Sequence, residues 1–121
     1  MDKNKVLSFS GDRDSLVRRE FALRNGGFTV VSLVSESQAR FEIEMGSCGF
    51  LLICFRTRAD TIRELTNLFR RNCPQGRIIF VMDETHERPP LAADYIVSES
   101  AGPEAIVRAL RSGSHPTTKA S

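Results

Sequence analysis

Cys54, Arg56 and Arg58 fall close together in the stretch GFLLICFRTRAD, residues 49–60. A thiol beside guanidinium groups, where an apolar strand turns into a helix, is in the surroundings that favour a thiolate. Redox chemistry, thiol-phosphate chemistry and anion binding are therefore the reactions to weigh. A thiol-phosphate loop would need an arginine where Asp60 stands, and the three cysteines, Cys48, Cys54 and Cys73, include no CxxC pair. Burial at a strand end opposes thiolate formation, so Cys54 reads as a half-buried small hydrophobe of ordinary reactivity. A small-anion contact through Arg56 and Arg58 stays open as the alternative, although no glycine-rich phosphate cradle precedes the next helix. His86 and His115 stand apart from other ligand types, so neither a metal nor a cofactor is expected. No acid–base constellation is visible, and an enzyme is not expected.

The chain has 121 residues, enough for one domain with a continuous core and too few for a second module. A formal charge of +2 is too slight to imply a nucleic-acid partner; the Arg18-Arg19 and Arg70-Arg71 pairs fall on helices and read as solvated faces. No apolar run approaches the roughly 20 residues that span a bilayer, and the amino terminus lacks a secretory pattern. A cytoplasmic protein is expected.

The elements that must position these residues alternate between strand and helix. Residues 6–9 are a short apolar strand ended by Ser10-Gly11-Asp12, and Asp14 is expected to cap a helix with Leu16, Val17, Phe21 and Leu23 towards the core. Asn25-Gly26 stops it. Residues 28–35 are β-branched and apolar, and Ser35 with Gln38 forms a capping-box signature for a helix through Met45. FLLICF, residues 50–55, is apolar throughout, as expected of a strand covered on both faces. A helix with Ile62, Leu65, Leu68 and Phe69 follows, then strands at 77–82 and 94–98, and a closing helix that starts at Pro103. This order predicts a flavodoxin-like three-layer α/β/α sandwich on a five-stranded parallel sheet of order 2-1-3-4-5. Its site would lie at the carboxyl ends of the strands. Residues 1–112 form the domain, and 113–121 a polar tail.

In this register the chain resembles the receiver domain of two-component response regulators over residues 5–111. LRNGGFTVV is similar to the family's glycine-aromatic approach to the second strand, and similar strides from Gly27 reach Cys54 and then Met82. The resemblance implies that Cys54 stands at the phosphoacceptor aspartate, Met82 at the switch hydroxyl, Tyr95 at the switch aromatic and Ser98 at the lysine. Ser10 and Gly11 occupy the acidic pair, with Asp12 beside them. Phosphoryl transfer needs an oxygen nucleophile, a hard cation held by carboxylates, and positive charge around the moving group. A thiol at 54 and a thioether at 82 supply none of these. From Met82 to Ser98 the chain is shorter than in typical receivers, and Pro89-Pro90 cannot sit inside a helix, so the family's fourth helix is expected to be shortened or missing. The resemblance thus implies a stand-alone, receiver-like signalling domain that binds another signalling protein, or a second copy as a homodimer, without phosphorylation. The fifth strand, the loop at 83–91 and the closing helix are its expected partner face, with Tyr95 and Arg108 as the contacts to test.

Overall fold

The apolar run around residue 51 lies in the middle of a sheet because neither of its faces meets water. A computed structural model describes residues 2–83 and 93–112. In chain order these form β1 (Asp2–Phe9), α1 (Arg13–Asn25), β2 (Thr29–Leu33), α2 (Glu36–Glu44), β3 (Cys48–Cys54), α3 (Ala59–Asn72), β4 (Arg77–Met82), β5 (Tyr95–Ser98), a 3₁₀ turn (Glu99–Ala101) and α4 (Pro103–Arg111). The sheet is parallel, in the expected order β2-β1-β3-β4-β5. Leu51 of β3 sits opposite Leu7 on one side and Ile78 on the other.

Strand alternation divides the core in two. Leu7, Leu51, Ile53, Ile78 and Phe80 pack with Ile43 of α2 and with Leu65 and Phe69 of α3. Val6, Leu52, Ile79 and Val81 face the other way, onto Leu23 of α1 and Ile106 and Leu110 of α4. The three-layer sandwich is thus formed by α2 and α3 on one face and α1 and α4 on the other.

Local signals set most helix ends. Ser35 accepts a hydrogen bond from the Gln38 N–H at 3.3 Å, and Pro103 opens α4 as expected. Asp14 does not cap α1. The cap is Asp12, whose Oδ1 accepts from the Asp14 N–H at 3.1 Å, because its extended backbone aims the carboxylate at the first free amides. After α1 the left-handed residue is Gly27, at φ 94°, while Gly26 has φ −83°.

The face of α1 also differs from expectation. Leu16 and Leu23 are buried, but Val17 and Phe21 point outward, and Arg19 takes their place on the inner stripe. Spacing explains this: residues 16, 19 and 23 are related by three and four positions, whereas 17 and 21 form a separate row. The expected loss of a helix between β4 and β5 falls mainly on residues 84–92, outside the described residues, as do His86, Pro89-Pro90, His115 and the 113–121 tail. Among the described residues no helix is long and apolar enough to cross a membrane.

Candidate functional site

The carboxyl ends of β1, β3, β4 and β5 bring the sequence-selected residues to one pole of the sheet. Ser10 is buried just past β1, its Oγ accepting from the Asp12 N–H at 3.1 Å. Gly11 is exposed, and a Cβ there would meet nothing within 4 Å. Cys54 ends β3 fully buried, opposite Val81 of β4. Met82 ends β4 opposite Ser98 of β5, and packs half-buried against the core on the α2/α3 side. The Ser98 hydroxyl lies 2.9 Å from that of Ser100. Its peptide bond to Glu99 is trans.

Charged groups close this pole by binding each other. Arg56 Nη1 donates to Asp12 Oδ2 at 2.8 Å and lies 3.4 Å from Ser15 Oγ, while its Nη2 reaches Glu99 Oε1 at 3.5 Å. Its guanidinium also sits over the Phe55 ring, 4.9 Å from the centroid. Ser15 Oγ donates to the same Asp12 oxygen at 2.8 Å. This hydrogen bond holds the Asp12 carboxyl below its ordinary value of 3.8; the Asp14 amide and the Arg56 charge act in the same direction, and burial opposes them. Behind this pair lies Arg19, only 4% exposed, whose Nη2 approaches Cys54 Sγ at 3.5 Å and Glu99 Oε2 at 3.5 Å. Its Nη1 is buried with no hydrogen-bond partner. Two arginines and two carboxylates therefore form a neutral chain from α1, through the β3–α3 connection, to the turn after β5.

Sequence reasoning missed three of these residues. Arg19 was read as part of a solvated arginine pair, yet only Arg18 is exposed. Its position three residues after Leu16 and four before Leu23 is the signal that places it on the buried stripe. Ser15 and Glu99 carried no comparable signal, since only the fold brings them to Asp12 and Arg56. Arg58, placed beside Cys54 by sequence, is instead the exposed N-cap residue of α3 and makes no side-chain capping bond. Tyr95 is half-buried on the edge strand β5, against the α1/α4 side of the core, and burial pushes its hydroxyl pKa up. Arg108 is exposed on α4.

The pole offers little to a cation. Among the described residues no three His, Cys, Asp or Glu side chains converge as a metal site. A hard divalent ion at Asp12 would have to displace a guanidinium and a serine hydroxyl, with a buried thiol in place of a carboxylate. Anions fare no better at Arg56, which already holds two carboxylates.

No family model matches the chain, and no curated protein matches it in sequence. Solved structures do match. A response regulator receiver domain protein (CheY-like) from Methanospirillum hungatei superposes with a TM-score of 0.76 at 15% identity, covering 91% of this chain and 92% of that one. The fold is that of a receiver domain. The same receiver fold appears in the response regulator TrrA of Thermotoga maritima, solved in complex with magnesium and beryllium fluoride: TM-score 0.76, 16% identity, 93% of this chain and 98% of that one. A receiver protein from Sinorhizobium medicae gives a TM-score of 0.72 at 15% identity, over 89% and 91% of the two chains. At such identities the likeness concerns the receiver fold alone, and what the pole does must be argued from its own side chains.

Proposed function

We infer that this chain is an atypical receiver-like domain that acts in two-component signal transduction, in the cytoplasm, by phosphorylation-independent protein–protein interaction. The observation that carries this reading is the closed pole. The residue at the acceptor position is a buried thiol that accepts a hydrogen bond from Arg19, and the one carboxylate between β1 and α1 is held by Arg56 and Ser15. A receiver fold supports a role among signalling proteins, and a pole that neutralises itself supports a constant binding surface in place of a switched one. No catalysis, cofactor, membrane or nucleic acid enters this reading. The partner is another signalling protein or a second copy, and the candidate face combines the edge strand β5 with α4, through Tyr95 and Arg108. An edge strand leaves backbone groups that a partner can use. The alternative of a redox or small-anion sensor using Cys54, Arg56 and Arg58 has less support, because the thiol is sealed and Arg56 is engaged.

The test is to add magnesium with acetyl phosphate, or with beryllofluoride, and to follow intact mass and amide NMR spectra. No adduct and no shifts centred on Asp12 and Cys54 are expected. A stoichiometric phosphoryl adduct would overturn the reading. In a pull-down, Tyr95→Ala and Arg108→Glu should each weaken capture of the signalling partner without unfolding the domain.

A further inference from the structure

α1 and α4 lie side by side over one face of the sheet, and the seam between them is a groove of about 300 Å³ lined by Phe21, Ala22, Asn25, Glu104, Val107 and Arg108. Phe21 is 70% exposed, and Val17, one turn earlier, is 67% exposed. A helix needs one apolar stripe to hold its place against a sheet, and α1 already has Leu16 and Leu23 for that. Val17 and Phe21 form a second stripe that adds nothing to the core, which is how an interaction surface announces itself on a small protein. α2 also exposes Phe41, and Met45 just after it is exposed too, but the groove beside Phe41 carries Glu42 as its only charged residue. The two surfaces differ in what their charges can recognise.

Glu104 and Arg108 are exposed, one turn apart on α4, and both line the α1/α4 groove. One acid and one base leave the groove without net charge, so neither a strongly acidic nor a strongly basic partner gains from it. A second copy related by a two-fold axis does gain. With the two α4 helices antiparallel, Glu104 of each copy faces Arg108 of the other, and Phe21 of each enters the other's groove; isologous pairing requires such self-complementarity. We propose that this chain pairs with a second copy of itself through the α1/α4 face, with Phe21 as the anchor and two reciprocal Glu104 to Arg108 pairs fixing the register. A central aromatic seated in a groove, with charges at its rim, is the arrangement in which a few residues carry most of the binding energy. The proposal rests on the constitutive-binding reading above; it moves the second copy to the α1/α4 face and leaves β5 with Tyr95 to a signalling partner.

Sedimentation equilibrium of the full chain across the micromolar to millimolar range tests it, with thermal melts confirming that every variant folds. A reversible dimer is expected. Phe21→Ser, Glu104→Arg and Arg108→Glu should each raise its dissociation constant by about tenfold or more. An equimolar mixture of the Glu104→Arg and Arg108→Glu chains should return to within about threefold of the wild-type value, because both cross-pairs are again opposite in sign. Phe41→Ser, on α2 across the sheet, should leave the dimer unchanged. A chain that stays monomeric throughout, a mixture that does not recover, or a dimer dissolved by Tyr95→Ala and not by Phe21→Ser would overturn the proposal. Adding magnesium and beryllofluoride separates the two readings: a dimer that forms only then, and still depends on Phe21, would refute constitutive binding while leaving the α1/α4 interface in place.

Discussion

Asp12 joins three pieces of the chain: it caps α1 through the Asp14 amide, accepts from Ser15, and pairs with Arg56 at 2.8 Å. All three interactions favour its charged form. A carboxylate with a depressed folded value contributes stability that is present in full above its unfolded value and is lost as pH falls through the folded one. Urea midpoints should therefore decline below about pH 4, and Asp12→Asn, which still caps a helix, should show a shallower decline. Glu20, held down by Arg24 and Ser32, leaves part of the slope in the variant. An unchanged slope in Asp12→Asn would mean that the pairing seen here contributes nothing. Arg19 presents the opposite case, a buried cation whose Nη1 lacks a partner while Glu99 retains Arg56. Arg19→Met keeps the apolar stem and should stay within about 1 kcal/mol of wild type in urea unfolding. Arg19→Ala also empties the space, and should lose about 2–3 kcal/mol.

Where β1 and β3 meet, two strands run closer than side chains permit. A Cβ on Gly49 would lie 2.7 Å from the Lys3 carbonyl oxygen and 2.8 Å from that of Asp2, in the segment where the pairing register shifts between Asp2 and Val6. These contacts are backbone, so the strands themselves would have to part. Gly49→Ala should lower stability by about 1–3 kcal/mol, read from the urea midpoint at constant m. Gly11→Ala is the control, since nothing crowds that position, and should stay within about 0.5 kcal/mol. Equal effects would show that the close approach of β1 to β3 is relaxed in solution.

Across the whole molecule, the three cysteines report on cooperativity. Cys48 begins β3, Cys54 ends it and Cys73 follows α3, all at most 1% exposed. Burial raises the thiol pKa of Cys48 and Cys73, with nearby charges and hydrogen bonds only partly opposing it. Each belongs to the sheet or its covering helix, so exposure of any one requires the same opening. Pulsed alkylation followed by peptide mass spectrometry should find all three labelled together, and more than about a hundredfold slower than in urea. Early labelling of Cys54 alone would reveal a pole that opens locally, and would raise the redox alternative above our reading.

What the sequence determined by itself was periodic or local. Five strands and their order followed from apolar runs that alternate with helices, and Ser35, Gln38 and Pro103 gave helix starts correctly because capping is settled within one turn. The receiver likeness, and with it the placement of Ser10, Cys54, Met82 and Ser98 at one pole, followed from spacing along that order. Local signals were less reliable where two alternatives lay within one turn. Asp12 and Asp14 were both able to cap α1, and Val17 with Phe21 competed with Leu16, Arg19 and Leu23 for its inner stripe. Only the tertiary structure decided what fills the pole. Arg19, Arg56 and Glu99 are far apart in sequence, and a pairing between them depends on how α1 and the turn after β5 lie against β3. The same packing left Phe21 in the seam with α4, where no pattern within α1 could have shown that it would find a neighbour.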